Sequence, residues 1–232
     1  MSNSMMKKKN AALKSVEFVK DGMVLGLGSG STMYWVLEAL SERIEQGEHI
    51  QGIPSSVKTE KLAREFGIPL TDFSQVGTLD LAIDGADEFD PDFQLIKGGG
   101  GSLMREKIVD IAAETFVVVA DDSKRVQQLG DFPLPVEVVQ FGWESTKARI
   151  VALGCEAVLR QSQGQPFVTN NSQYILDCHF QSIENPHILH EQLKTIVGVV
   201  ETGLFLDMAD YIIVGSEERA EVYRKEGEQN DL

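Results

Sequence analysis

The segment GMVLGLGSGSTMYWVLEALSERI (22–44) decides how the first half of the chain folds. An apolar run at 22–28 ends in glycines, and 31–44 carries apolar side chains at the spacing of one helix face. A short strand that leads through glycines into such a helix is typical of βα units on a parallel sheet. The segment therefore predicts an α/β fold.

The same alternation continues as far as residue 124. Further helices are predicted at 57–67 and 102–114, and further strands at 51–56, 79–88, 94–101 and 116–124. Ser102 stands where it can cap the helix at 102–114. The last strand begins with FVVVA, and such an apolar run is expected where both faces of a sheet are covered.

A second pattern begins near Pro133 and Pro135, which mark a boundary. A strand, helix, strand, strand, helix and strand are predicted, in that order, at 136–140, 146–154, 155–160, 174–180, 185–198 and 199–205. This order is the split βαββαβ unit of ferredoxin-like α+β domains. The apolar run 209–216 is predicted to return to the large sheet, and the charged tail from Glu217 is predicted to fray. The predicted division is a large domain at 1–130 and 206–232, and a small domain at 131–205.

Composition limits the classes of partner. The 232 residues include 21 basic and 36 acidic side chains, a net charge of −15, so most of the surface would repel a nucleic acid or an anionic membrane. No apolar run approaches the roughly 18 residues of a membrane span, and none follows the lysines at 7–9 to form a signal peptide. We expect a cytoplasmic protein, cytosolic or stromal, with no nucleic-acid partner and no membrane partner.

Metal and cofactor sites are not indicated either. Cys155 and Cys178 lack a CxxC spacing, and no histidine lies at a metal-ligand offset, so we interpret both cysteines as buried free thiols. We therefore expect no metal ion and no cofactor.

The stretch GLGSGST (26–32) lies between a predicted strand and helix. Small residues there let backbone N–H groups approach an anion at the positive end of the helix. It is not a dinucleotide fingerprint, because Ser31 stands where the third glycine is needed, and it is not a P-loop, because no G-K-[ST] follows. We interpret it as a cradle for a phosphate or carboxylate, with a tight turn that binds nothing as the alternative.

Two further groups of polar residues follow predicted strands, at the edge where ligands of α/β sheets bind. In DGADE (84–88) three clustered carboxylates would raise each other's pKa, which suits proton transfer near neutrality; a solvated acidic turn is the alternative. Lys124 follows the strand at 116–124 and could pair with a phosphate, or with a nearby aspartate.

The run KGGGG (97–101) stands between a predicted strand and helix. Consecutive glycines cost backbone entropy and are tolerated where a ligand lies against bare backbone, with N–H groups as oxyanion donors. Lys97 at the strand end and a residue early in the helix could face the same pocket. Arg105 and Glu106 lie about 100° apart on that helix, so only one points inward, and the residues alone do not decide which.

Five motifs, in order and spacing, resemble the type A ribose-5-phosphate isomerases across nearly the whole chain: GLGSGST, DGADE, KGGGGSLMREK (97–107), ADDSK (120–124) and FPLPVEV (132–138). The resemblance implies a Rossmann-like domain with a smaller α+β domain, and usually a homodimer or a higher state such as a homotetramer. It implies an aldose–ketose isomerase that interconverts D-ribose 5-phosphate and D-ribulose 5-phosphate through an enediolate in the non-oxidative pentose phosphate pathway.

The resemblance also implies the site. It makes Glu106, rather than Arg105, the proton acceptor, with Lys97 stabilising the enediolate and Asp84 or Asp87 handling the oxygen protons. The implied substrate contacts are Ser29, Gly30, Ser31, Thr32, Asp84, Gly85, Ala86, Asp87, Lys97, Gly98, Gly99, Gly100, Lys124 and, from the amino-terminal lysines, Lys8. The chain departs from the family pattern at Ser29, where Thr is commoner, and at Gly101, where Ala is often found.

Two other functions remain as alternatives. A non-catalytic sugar-phosphate sensor would need a DNA-binding segment, and none is visible before Gly22. The second alternative is a neighbouring enzyme class on a similar scaffold, such as an amino-sugar-phosphate deaminase or a CoA transferase. Assaying ribose 5-phosphate against glucosamine 6-phosphate would separate these enzymes.

Overall fold

The computed structural model describes residues 2–225. The helices of this part are α1 (Asn3–Val16), α2 (Met33–Glu45), α3 (Val57–Glu65), α4 (Leu103–Ile111), α5 (Trp143–Val151) and α6 (Pro186–Thr195). The strands are β1 (Val24–Leu27), β2 (Gln51–Pro54), β3 (Leu81–Gly85), β4 (Glu88–Phe89), β5 (Leu95–Ile96), β6 (Phe116–Asp121), β7 (Leu134–Val138), β8 (Glu156–Leu159), β9 (Gln161–Ser162), β10 (Gln165–Pro166), β11 (Tyr174–His179), β12 (Val199–Thr202), β13 (Leu204–Phe205), β14 (Tyr211–Gly215) and β15 (Ala220–Arg224).

A six-stranded sheet in the order β15-β14-β6-β3-β1-β2 forms the larger part of the fold. Its strands pair in parallel except at β15, which pairs antiparallel with β14. All six residues of β6 are buried, and they alternate between two cores: Val117 and Val119 pack on one face, and Phe116 and Val118 on the other. The prediction that 209–216 returns to the large sheet is confirmed by β14.

A second sheet has the order β12-β7-β11-β8, and every neighbouring pair is antiparallel. If these strands are numbered 1 to 4 in chain order, they lie in the order 4-1-3-2. Together with α5 and α6 they form a split βαββαβ unit, which we call the small unit. Its core contains Val136, Ile150, Leu176 and Leu193. The fold class predicted from the sequence is confirmed. The domain limits stay a prediction, and residues 1 and 226–232 of the predicted large domain lie outside the described residues.

Three local expectations were wrong. The strand expected at 94–101 is only Leu95–Ile96, and it joins an antiparallel sheet with β4 and β13, because the glycines that follow form a loop instead of extending the strand. The tail does not fray at 220–224, because β15 pairs with the edge of the large sheet. Ser102 precedes α4, yet its side chain makes no capping hydrogen bond.

Helix α1 has no counterpart in the sequence analysis. Its buried Ala11, Ala12, Ser15 and Val16 form the side that packs on α2, β6 and β14. Small residues allow the helix to pack this closely. Because they are weakly apolar and lie among lysines, the sequence shows little of the apolar periodicity that predicts a helix. No helix between residues 2 and 225 has the length and apolar character needed to cross a bilayer.

Candidate active site

A cleft lies at the carboxyl ends of β1, β3 and β6, the edge at which parallel strands of an open sheet present ligand-binding loops. It gathers segments that are far apart in sequence: the α1 lysines, the glycine-rich turn after β1, the acidic turn after β3, the 97–100 loop and the residues after β6. Its lining residues are Lys8, Ser29, Gly30, Ser31, Thr32, Asp84, Gly85, Ala86, Asp87, Lys97, Gly98, Gly100, Glu106, Val119, Ala120, Asp121 and Lys124. Every predicted site residue except Gly99 is in this set.

Asp84 is the anchor of the cleft floor. Its Oδ1 accepts hydrogen bonds from the N–H groups of Ser29 at 2.8 Å and Gly85 at 2.7 Å. A Cβ at Gly28 would overlap the Asp84 carboxylate, so the glycine there is required by the acid beside it. The glycine-rich turn and the acidic turn are therefore one packed structure.

Lys97 places an ammonium group inside a ring of acids. Its Nζ lies 2.7 Å from Asp84 Oδ2, 3.8 Å from Asp110 Oδ2 and 4.0 Å from Glu106 Oε2, and it donates to the carbonyl of Gly85 at 2.5 Å. Burial alone would lower the pKa of Lys97, but the three carboxylates outweigh it and raise the pKa above its ordinary value. Lys97 therefore stays protonated and supplies a fixed positive charge.

Glu106 lies in the first turn of α4 and is 4% exposed. Its Oε2 has no hydrogen-bond partner among the described residues. Burial raises the pKa of Glu106 to about 8; Lys97 opposes this shift, and Asp84 and Asp87 add to it. A carboxyl group that titrates near neutrality at the wall of a cleft suits proton transfer.

Arg105 faces away from the cleft. Its Nε donates to Asn171 Oδ1 and its Nη2 to the carbonyl of Asn170, both at 2.9 Å and both in the loop before β11. The packing of α4 therefore turns Glu106 inward, the orientation that the family resemblance implied.

Sequence reasoning missed Asp110. It lies one turn after Glu106 on α4, is 2% exposed, and neither carboxylate oxygen has a hydrogen-bond partner within residues 2–225. Burial first, and then the charge of Asp84, raise the pKa of Asp110. The available signal was an acid four residues after Glu106, at a spacing that places both on one helix face.

Of the three acids in DGADE, only two reach the cleft. Asp87 Oδ2 accepts the N–H of Gly99 at 2.7 Å and so ties the acidic turn to the glycine run. Glu88 is buried elsewhere, where its carboxylate accepts the N–H groups of Gly130 and Phe132. The expectation of three carboxylates at the sheet edge was wrong for Glu88, because β4 pairing turns its side chain away.

The cradle at 29–32 has a lysine beside it. Lys8 Nζ donates to Ser31 Oγ at 2.8 Å, whereas Lys7 pairs with Asp122 at 2.8 Å and Lys9 lies over the Trp35 ring. The helix register of α1 thus selects Lys8 as the lysine that faces the cleft. Lys124 reaches the cleft from the short 3₁₀ turn after β6.

Comparisons with known proteins identify the family. The family model described as ribose 5-phosphate isomerase A (phosphoriboisomerase A) matches residues 51–219. This chain belongs to that family. It is 53% identical over 219 residues to ribose-5-phosphate isomerase A 1 of Oceanobacillus iheyensis, covering 94% of this chain and 97% of the relative. It is 49% identical to ribose-5-phosphate isomerase A of Bacillus mycoides, covering 89% and 94% of the two chains.

Solved structures of the family share the fold. A D-ribose-5-phosphate isomerase in complex with phospho-erythronic acid superposes with a TM-score of 0.92 at 38% identity, covering 97% of this chain and 100% of that one. Ribose 5-phosphate isomerase A of Methanocaldococcus jannaschii gives a TM-score of 0.91 at 38% identity, with the same coverage. The predicted family, fold class and isomerase class are confirmed, while the individual residue roles stay predictions.

Proposed function

We propose that this chain interconverts D-ribose 5-phosphate and D-ribulose 5-phosphate through an enediolate, with Glu106 moving the carbon-bound proton. One observation carries the proposal. The buried Glu106 carboxylate, whose Oε2 has no hydrogen-bond partner within residues 2–225, lies 4.0 Å from the buried Lys97 ammonium, at the wall of a cleft that also holds an anion cradle. The cradle suits the phosphate of an acyclic sugar phosphate. The acid and the ammonium suit its C1–C2 end.

The chemistry at that end needs a base and an electrophile. Ionised Glu106 takes the proton from C2 of the open-chain aldose, the C1–C2 double bond forms, and the electron pair of the carbonyl moves to O1. The ammonium of Lys97 and backbone N–H groups of the glycine loop stabilise the negative oxygen. Glu106 then returns its proton to C1, and the O2 proton passes to O1, so that the product carries a C1 hydroxyl group and a C2 ketone.

The two aspartates have different surroundings, and this supports different roles. Asp84 is fully engaged by two N–H groups and the Lys97 ammonium, so it holds Lys97 in place. Asp87 makes one hydrogen bond, from Gly99 to its Oδ2, and it lines the cleft with partial exposure. We assign the exchange of oxygen protons and the opening of the sugar ring to Asp87.

The phosphate end involves cations and hydroxyl groups. Lys8, Lys124, Ser31 and Thr32 lie together in the cleft, and α2 begins at Met33 directly after them. A phosphate there would meet the positive end of the helix and two ammonium groups. The relative solved in complex with phospho-erythronic acid binds a phosphate joined to a short carboxylic acid, which supports a sugar phosphate as the ligand.

The decisive experiment is a substrate comparison. The purified protein is incubated separately with ribose 5-phosphate and glucosamine 6-phosphate, and ketose and released ammonia are measured. We expect ketose from ribose 5-phosphate, and NMR in D₂O should show that C1 of the product carries hydrogen transferred from C2 or exchanged from solvent. Ammonia release from glucosamine 6-phosphate with no turnover of the pentose would contradict the proposal.

We also propose that the protein is a homodimer, or a homotetramer built from such dimers, and that it works in the cytoplasm as part of the pentose phosphate pathway. Phe141 is 94% exposed and Val197 is 84% exposed, and the two segments are adjacent because Val139 N–H donates to the Gly198 carbonyl at 2.9 Å. Contiguous exposed apolar patches mark protein interfaces, and these adjacent segments support one here. Light scattering of the wild type and of Phe141→Ser would test it, and a monomeric wild type would contradict it.

A further inference from the structure

Arg160 of the small unit reaches across to the glycine loop of the cleft. It follows β8, and its Nη1 donates to the carbonyls of Gly98 at 2.8 Å and Gly99 at 3.1 Å. Its Nε and Nη2 bind both oxygens of Asp177 on β11, at 2.9 and 2.5 Å. This two-point pairing fixes the plane of the guanidinium group, so the arginine is rigid at the point where it meets the loop.

The contact constrains where the loop N–H groups point, together with the turn in which the Gly101 N–H donates to the Gly98 carbonyl at 3.0 Å. In a planar trans peptide the carbonyl and the following N–H point in opposite directions. Because the Gly98 carbonyl points toward Arg160, the Gly99 N–H points away from the small unit. That N–H donates to Asp87 Oδ2. The Gly99 carbonyl also points toward Arg160, so the Gly100 N–H points away from the small unit as well. Gly100 lines the cleft, and its N–H has no acceptor within residues 2–225.

The loop needs such a constraint because of its composition. Gly98 and Gly101 have φ angles of +100° and +85°, which favour glycine, and four glycines in a row leave the free backbone many alternative conformations. The Phe167 ring, also from the small unit, packs so closely on Gly101 that a Cβ there would overlap it. Both contacts come from the 160–167 segment of the chain.

We propose that Arg160 is a positioning residue that holds the 98–100 peptides so that the Gly100 N–H faces the developing enediolate oxygen. The small unit then contributes to catalysis in a cleft built mainly by the large sheet. The inference rests on the proposed isomerase function. Removing one preorganised oxyanion donor typically lowers kcat about 10²–10³-fold, and substrate binding through the phosphate is left largely in place.

The test compares Arg160→Met and Arg160→Lys with the wild type on ribose 5-phosphate. We expect kcat to fall about 10²–10³-fold in Arg160→Met, with KM and the inhibition constant of inorganic phosphate changed by less than about threefold, below 1 kcal/mol. Phospho-erythronate carries a carboxylate where the enediolate oxygens would form, so its inhibition constant should increase in Arg160→Met. The single ammonium of Arg160→Lys cannot pair with both oxygens of Asp177 and also donate to both carbonyls. This variant should therefore show the same changes in kcat, KM and inhibition constants.

Arg43→Met is the matched control. Arg43 also binds a carboxylate through two nitrogens, that of Glu48, and donates to a carbonyl, that of Val16, but it lies outside the cleft. It should lose thermal stability without losing kcat. Amide exchange by NMR gives a second readout: the Gly99 amide, which donates to Asp87, should exchange faster in Arg160→Lys, even where its overall stability matches the wild type.

Each outcome has a defined meaning. Unchanged kcat in either folded Arg160 variant, or equal loss of kcat in Arg43→Met, would overturn the positioning role. A rise in KM and phosphate inhibition constant at constant kcat would show instead that Arg160 supports binding. If the wild type itself failed to turn over ribose 5-phosphate while the Gly99 amide still exchanged faster in Arg160→Lys, the proposed function would fail and the positioning of the loop by Arg160 would stand.

Discussion

Lys97 Nζ lies 2.7 Å from Asp84 Oδ2, and the two side chains are 2% and 1% exposed. A pair buried this deeply has lost its hydration, so its stability depends on mutual pairing and on the surrounding hydrogen bonds. Glu106 and Asp110 share the same ammonium. The cleft floor is therefore a group of three acids around one cation, and changing one member alters the protonation of the others.

Lys97→Met should both abolish turnover and destabilise the fold. It leaves the Asp84 carboxylate buried without its cation, and breaking one side of a buried pair costs about 3–5 kcal/mol. The double variant Lys97→Met with Asp84→Asn should recover part of this loss, because the uncompensated charge is gone. Urea denaturation measures both. A double variant less stable than Lys97→Met alone would argue against the pairing.

Glu106→Gln should fold and bind substrate but turn over very slowly. Glutamine keeps the shape of the side chain but cannot accept the C2 proton, and a general base contributes about 10²–10⁴-fold. Arg105→Gln is the neighbouring control and should retain kcat, since Arg105 contacts Asn170 and Asn171. Exchange of C2 deuterium with solvent at the wild-type rate in Glu106→Gln would show that another group is the base.

The pH dependence of kcat/KM should report Glu106. With a pKa of about 8, the carboxyl is mostly protonated at pH 6 and becomes a base as the pH rises. We expect kcat/KM of the free enzyme to increase about tenfold per pH unit below this pKa and to level off above it. An acidic limb centred near pH 4.5 would mean that the cleft is wetter than the structure shows.

The same titration sets the sign of a stability effect. The folded pKa of Glu106 exceeds its ordinary 4.5, so the folded protein binds more protons than the unfolded chain between about pH 4.5 and 8. The contribution of Glu106 to the free energy of unfolding is therefore fully present below pH 4.5 and is lost as the pH rises through 8. The melting temperature of Glu106→Gln minus that of the wild type should therefore be more positive at pH 8.5 than at pH 5. Calorimetry at the two pH values measures this difference. A constant difference would contradict the shifted pKa.

The cradle should control phosphate affinity with little effect on chemistry. Lys124→Ala and Lys8→Ala each remove a cation from the cleft, and a charge-assisted contact contributes about 1.5–3 kcal/mol, roughly a ten- to hundredfold loss in affinity. Calorimetric titration with phospho-erythronate measures it. Lys9→Ala is the control, since Lys9 lies over Trp35 instead. Equal affinities in all three variants would place the phosphate elsewhere.

Chelation should leave the activity unchanged. The enediolate is stabilised by an ammonium and by N–H groups in this proposal. Within residues 2–225, no group of three His, Cys, Asp or Glu side chains is arranged to hold a metal ion. Ribose 5-phosphate turnover before and after exhaustive dialysis against EDTA tests this. Loss of turnover that a divalent ion restores would contradict it.

Much of the cleft could be predicted from the sequence because parallel strands all end at one edge of the sheet. Once 22–28, 79–88 and 116–124 are read as such strands, Ser29, Asp84 and Lys124 must lie near one another, whatever the details of packing. Glycine runs and clustered acids are also local signals, since their backbone and electrostatic costs are visible without the fold. The family resemblance then added the chemistry.

Only the tertiary structure decided the rest. The inward turn of Glu106 instead of Arg105 depends on the rotation of α4, which is set by its packing on β3, β7 and β12. Asp110 gains its place beside Lys97 through the same rotation. Arg160 is 62 residues from Gly98 in sequence, and no local pattern links an arginine after one strand to carbonyls in a loop of another sheet. Local sequence fixes which groups stand at strand ends, whereas contacts between units arise only when the whole chain has packed.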